Sequence, residues 1–160
     1  MHTVGKMFVF SVMATLVIGC AGMDVKKAEE PTLLDYVVAT YEGYIEMLNA
    51  HSAELTAEIA RIEGIPARSD SLSEEIRATD LVGMELRLEQ RKILLDHCVL
   101  AKRLLQEAKK NPGKKKELQA QWAQHQEPFL NALVEMDKKE GDVKWKRMKL
   151  ELQQVQDALQ

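Results

Sequence analysis

Aromatic side chains are scarce in this 160-residue chain, which has two Trp, three Tyr and three Phe. Phe8 and Phe10 lie in the first ten residues, which leaves few for a core. Leu, Ile, Val, Met and Ala must then fill most of the interior, and that suits helices packed on helices. Cysteine is as sparse. Cys20 and Cys98 are the two present, and no Cys-x-x-Cys-His haem attachment motif occurs. No apolar run reaches the ~20 residues that a spanning helix needs. Catalytic signatures are missing as well. There is no Gly-x-Ser-x-Gly, no His-Glu-x-x-His and no Gly-rich phosphate loop. Carboxylate-bridged di-iron bundles use Glu-x-x-His pairs. Here the positions three before His51, His97 and His125 hold Leu48, Leu94 and Trp122. These absences weigh against an enzyme and against a cofactor.

What is present begins with a block near the start. Lys6 precedes an uncharged stretch, residues 7–18, that ends in Val17-Ile18-Gly19-Cys20. The stretch has the length of the apolar core of a secretory signal. The four residues at its end resemble the lipobox of bacterial lipoproteins. The resemblance covers residues 1–20. It implies a signal peptide at 1–19, lipid on the Cys20 sulphur, a tether at 20–31 and a folded domain at 32–160. Several acyl chains make a stable anchor where one gives marginal binding. The lipid bilayer is then the first partner, reached through acylated Cys20. Ala21 follows the cysteine, and Asp is absent there. In enteric-type lipoproteins this points to the outer membrane, facing the periplasm. Cys98 is left without an intramolecular partner and reads as a small apolar core residue.

The remainder reads as all-α. An apolar stripe at steps of three and four, from Leu34 through Tyr41, Leu48, Leu55 and Ile62, predicts a first helix over 32–63. Thr32 with Asp35 suits its start, and Gly64, as a left-handed cap, with Pro66 suits its end. Ser52 interrupts the stripe, and its hydroxyl is expected to bond the carbonyl one turn back. Ser71 with Glu74 forms a capping-box pattern for a second helix over 72–110. That helix is apolar on two sides: Leu88, Leu95, Cys98 and Leu105 on one, Val82, Ile93, Leu100 and Leu104 on the other. It should therefore be central. After Asn111-Pro112-Gly113, a third helix starts near Lys114, with Leu118, Trp122, His125, Phe129, Leu133 and Met136 on one face. Pro128 lies inside it and should kink it. Past Gly141 a separate stripe appears: Trp145, Met148, Leu152, Val155 and Leu159. Either Gly141 breaks the third helix, giving four, or the helix continues. Lengths favour an antiparallel bundle of three long helices. Packing within the chain is the default for the late stripe.

Two clusters bear on function. His97 and His125 lie at similar distances from the turn at 112 and can approach one another, with Cys98 adjacent to His97. His51 falls about 14 residues, or ~20 Å, away along the hairpin. Two imidazoles are too few for the four ligands zinc usually takes, so His97 and His125 are weak metal candidates. Lys109, Lys110, Lys114, Lys115 and Lys116 flank the turn. Those that open the third helix oppose its dipole, a conflict that fits a contact for an anionic surface, although a solvated loop is the preferred reading. Residues 24–96 carry a formal −8 and residues 109–149 a formal +5, which also fits helices of opposite sign side by side. No aromatic residue interleaves the lysines of the turn, which argues against nucleic acid. The reading is a non-enzymatic envelope lipoprotein, an adaptor or assembly accessory that meets an envelope protein or a cell-envelope polyanion. The alternative is a periplasmic client-binding or holdase-type protein with an apolar groove and a basic rim.

Overall fold

A computed structural model describes residues 32–67 and 70–159 of the chain. Cys20 and the lipobox residues Val17, Ile18 and Gly19 lie outside these. Among the described residues there are three helices and no strand: α1 Leu33–Glu63, α2 Ser71–Lys110 and α3 Lys115–Ala158. They form an antiparallel helical bundle in which α1 packs on α2 and α2 on α3. A short 3-10 turn, Pro112–Lys114, joins α2 to α3. The third helix runs unbroken through Pro128 and Gly141, so the count is three and not four. None of these helices is long and apolar enough to cross a membrane.

Side chains set the helix ends. Thr32 and Asp35 cap α1 reciprocally. The Asp35 amide donates to Thr32 Oγ1 at 3.3 Å, and the Thr32 amide donates to Asp35 Oδ2 at 3.0 Å. Two orphan donors of the first turn are thereby satisfied. The cap of α2 is Asp70 and not Ser71. Its carboxylate accepts from the amides of Leu72 and Ser73, both at 3.1 Å. A carboxylate reaches two amides where a hydroxyl serves one, and its charge suits the positive end of the dipole. Glu74 turns to Arg77, whose Nε lies 3.0 Å from Oε1.

The end of α1 also departs from expectation. Gly64 does not adopt a left-handed backbone. Its amide stays on the helical path, donating to the Ala60 carbonyl at 3.1 Å, and the Ile65 amide tightens the turn onto Ile62. The Ile62 carbonyl accepts a second bond, and the Ile65 carbonyl another, from Arg77 Nη1 of α2 at 3.0 and 2.9 Å. A cation at a helix C-terminus is favourable for the dipole as well. The neighbouring helix thus does the work expected of the glycine.

Two compact units share these helices. The first comprises the described part of residues 1–47 together with 95–130. Its core is Leu34 and Tyr41 from α1, Cys98, Leu104 and Leu105 from α2, and Leu118, Trp122 and Phe129 from α3. Lys102 pairs with Glu42 at 2.8 Å, and Lys109 pairs with Asp35. The second comprises the described part of 48–94 together with 131–160. Leu48, Ile62, Leu94, Leu133, Met136 and Leu150 are buried there. At Gly83 α3 lies close to α2: a Cβ there would meet Val143 Cγ1 at 3.4 Å, an ordinary van der Waals contact. The Ser52 hydroxyl donates to the Leu48 carbonyl at 2.7 Å, as its place in the seam suggested.

Opposite charges lie side by side within the second unit. Lys146 reaches Glu75 at 3.2 Å, Arg147 Nε reaches Asp80 at 2.7 Å, and Arg87 lies 3.4 Å from Glu140. Two bases of α3, Lys146 and Arg147, are thus met by acids of α2, whereas Arg87 and Glu140 pair with the signs exchanged.

Candidate functional site

Three features of the described residues carry chemistry, and the histidine pair comes first. His97 on α2 is 2% exposed. Its ring stacks on Phe129 with centroids 3.8 Å apart and tilts against Trp122 at 4.9 Å. Nδ1 lies 3.2 Å from Nε2 of His125, so one ring donates to the other. The sequence placed these two near each other, and the structure brings them together. A buried polar ring is tolerated because it has this partner. Burial, helped by the charge that His125 would carry, pushes His97 down to about 4. His125 is also lowered by burial, against the opposite pull of Asp96. Burial thus favours the neutral form of both rings, and a doubly protonated pair would in addition set N–H against N–H.

Around this pair the surroundings are dry. Cys98 is 1% exposed, and burial raises its thiol to about 11, so thiolate chemistry is disfavoured. The Tyr41 hydroxyl is buried without a hydrogen-bond partner among the described residues, and burial drives its pKa upward. Nothing in the sequence singled out Tyr41 beyond its place in the apolar stripe. His51 belongs to the other unit, where it lines an open cleft of about 370 Å³ with Glu54, Glu58, Arg87 and Arg91. No group of three or more His, Cys, Asp or Glu side chains able to hold a metal occurs among the described residues. The pair offers two nitrogens that already satisfy each other.

The basic turn is the second feature. Lys109 and Lys114 both have acidic neighbours: Lys109 is paired with Asp35, and Lys114 lies 3.6 Å from Glu107. That partner, with Thr32, holds the Asp35 carboxyl down at about 2. Lys110 and Lys116 are exposed, and Lys115 is half-buried. The lysines thus divide between internal pairing and solvent, and they do not form one uniform patch.

The third feature is the outer side of α3 in the second unit. Leu150 is buried on the inner side. At about 100° per residue, the stripe from Trp145 to Leu159 lies roughly opposite it. The expectation that this stripe packs within the chain is not met. Trp145 is 57% exposed, Leu152 57%, Val155 58% and Leu159 82%. Met148 and Val134, on the same side, are exposed as well. Lys149 extends over the Trp145 ring, its Nζ 5.3 Å from the centroid. The default failed because the residues of α3 that do pack, Met136, Val143, Arg147 and Leu150, occupy the other side of the helix. Exposed apolar side chains scattered singly need no explanation, whereas an aligned row marks a contact surface. No protein-family model matches the chain, and neither the curated proteins nor the solved structures contain a match.

Proposed function

We propose that this chain is a bacterial envelope lipoprotein, held to the membrane by lipid on Cys20, that works by contact and not by catalysis. On this reading it is a structural or interaction bundle, an adaptor or assembly accessory facing the periplasm from the outer membrane. The observation that carries it is the two-sided nature of α3 in the second unit. One side builds the core with Met136 and Leu150, and the other leaves Trp145, Leu152, Val155 and Leu159 in solvent. Burying such a row returns roughly 25 cal/mol per Å² of apolar surface, a direct drive to find a partner. The regular steps of three and four suit a structured helical partner better than an unfolded client, so the adaptor is preferred to the holdase. The stripe is preferred to the basic turn as the contact face because Lys109 and Lys114 are already engaged by acids.

Photo-crosslinking in living cells tests this. A photoreactive residue in place of Leu152, on the stripe, is expected to yield a discrete adduct. The same residue in place of Asp157, exposed on the other side, is expected to yield none. Equal adducts from both positions, or none from Leu152, would contradict a dedicated contact face.

A further inference from the structure

The exposed face of α3 carries more information than its apolarity. From Val134 onward, positions 134, 138, 141, 145, 148, 152, 155 and 159 follow strict alternating steps of four and three. Six of the eight are Val134, Trp145, Met148, Leu152, Val155 and Leu159, and the others are Lys138 and Gly141. Such a repeat keeps one seam facing a second helix over the full length of the stripe. All of the apolar six are exposed. Gly141 sits within the seam in open space, with nothing within 4 Å of a Cβ built there. A glycine inside an exposed helix costs about 1 kcal/mol relative to alanine. At a seam position it makes room for a large side chain from the facing helix.

The charges flanking the seam identify that helix. In a parallel pairing of two copies, Lys144 would face Lys149, and Asp137 would face Asp142, so both flanks repel. In an antiparallel pairing that uses the whole seam, Val134 faces Leu159, Gly141 faces Leu152 and Trp145 faces Met148. Lys144 then flanks Glu151 of the other copy, and Asp142 flanks Lys149. Two-fold symmetry repeats each contact, and the other flanking pairs, Glu135 with Gln156 and Asp137 with Ala158, set no like charges together. An isologous patch of this kind is what a closed dimer requires. Within one chain Lys144 leans on Glu140 at 3.1 Å. The Arg147 guanidinium lies 2.7 Å from Glu151, an ion pair without hydrogen-bond geometry. In both contacts the partner that would be drawn to the other copy, Lys144 or Glu151, is the more exposed one, and pairs between neighbouring turns near solvent are worth little each.

The geometry points to a second copy of this chain as the occupant of the α3 stripe, docked antiparallel through the seam from Val134 to Leu159. This inference rests on the contact reading above and names the partner of that surface.

Co-expression of two differently tagged full-length chains, one carrying Gly141→Cys and the other Leu152→Cys, tests it. The added thiols face each other in the antiparallel seam, and Cys98 stays buried. Mild oxidation of membranes is expected to give a mixed-tag disulfide dimer. Leu152→Cys alone is expected to give none, because its two copies lie about 16 Å apart along the axis, beyond disulfide reach. In detergent, Lys144→Glu should weaken the dimer about tenfold by sedimentation, and adding Glu151→Lys should restore it. A dimer from Leu152→Cys alone, an unchanged affinity in Lys144→Glu, or a one-chain mass without a mixed product would overturn the proposal. So would a monomer whose Trp145 fluorescence is quenched by spin-labelled lipid, the mark of a stripe lying on the bilayer. Adducts to a different protein without a mixed dimer overturn self-pairing and leave the contact reading intact.

Discussion

Replacing Trp122 with alanine is expected to cost about 3–5 kcal/mol of folding stability. The side chain is 2% exposed and belongs to the core of the first unit with Leu104, Leu105, Leu118 and Phe129. Its indole also forms one wall of the dry site that holds His97, with ring centroids 4.9 Å apart. Truncation removes apolar burial, leaves a cavity and lets water reach a ring that is neutral because it is dry. Domains of this size have roughly 5–15 kcal/mol in total, so the loss is a large share. A fall in melting temperature of about 10–20 °C should follow. Thermal unfolding by circular dichroism measures it. A shift of a few degrees or less would mean that Trp122 is not a pillar of this core.

Acidification has the second large effect, and one imidazole dominates it. His97 is held down at about 4 in the folded chain, first by burial and then by the charge of His125. An unfolded histidine titrates near 6.5. Between these values the unfolded chain binds a proton that the folded chain refuses, so stability falls as the pH falls. The contribution is complete above about pH 6.5, declines through the interval and is gone below about pH 4, for a loss of about 3 kcal/mol. The group closest in charge is Asp96, which favours protonation of His125 and moderates the effect there. Asp35 acts in a separate window. Its carboxyl is held at about 2 by Lys109 and Thr32, so its contribution is present above about pH 4 and lost below it. Urea unfolding at a series of pH values should show a slope between pH 6.5 and 4 that is absent from His97→Phe. Direct titration of the His97 ring by NMR covers the case in which that variant folds poorly. A ring that titrates near 6.5 in the folded protein would rule out the mechanism.

Much of this architecture was legible in the residues. The row from Leu118 through Trp122 and Phe129 to Met136 announced the buried side of α3, and all of those residues are buried. The approach of His97 and His125 followed from their similar distances to the turn at 112. The box of Thr32 and Asp35 was plain as well, because capping is local and depends on a few neighbouring residues. Other features depend on which surface a helix finds, and no periodicity contains that. Val82 was placed on an apolar side of α2 yet is exposed, while Thr79 and His97 are buried. A stripe of large apolar residues also overlooks small ones such as Gly83 and Ala101, which are buried in α2. Arg77 could not be recognised from local sequence, since the carbonyls it caps belong to α1. The continuity of α3 through Gly141 was open because the two stripes on either side of that residue each look like a complete helix. The stripe after Gly141 was visible from the start, but that it faces solvent depends on which other residues α3 commits to its neighbours.

The histidine pair illustrates how a functional-looking motif resolves into packing. Two imidazoles and a cysteine in one turn's reach suggest metal chemistry. Their geometry instead gives a closed hydrogen bond, stacked rings and a thiol held at about 11. The expected consequence is a pH-dependent fold, and the proposed contact surface lies elsewhere, on the outer side of α3.

The proposed compartment and tether depend on lipid at one sulphur, that of Cys20, and metabolic labelling reads it directly. Cells expressing the full-length chain are fed an alkyne palmitate analogue, and the protein is isolated and conjugated to a fluorophore. The parent is expected to be bright and Cys20→Ser dark, with Cys98→Ser as bright as the parent. Equal signal from parent and Cys20→Ser, or no signal from either, would contradict the account.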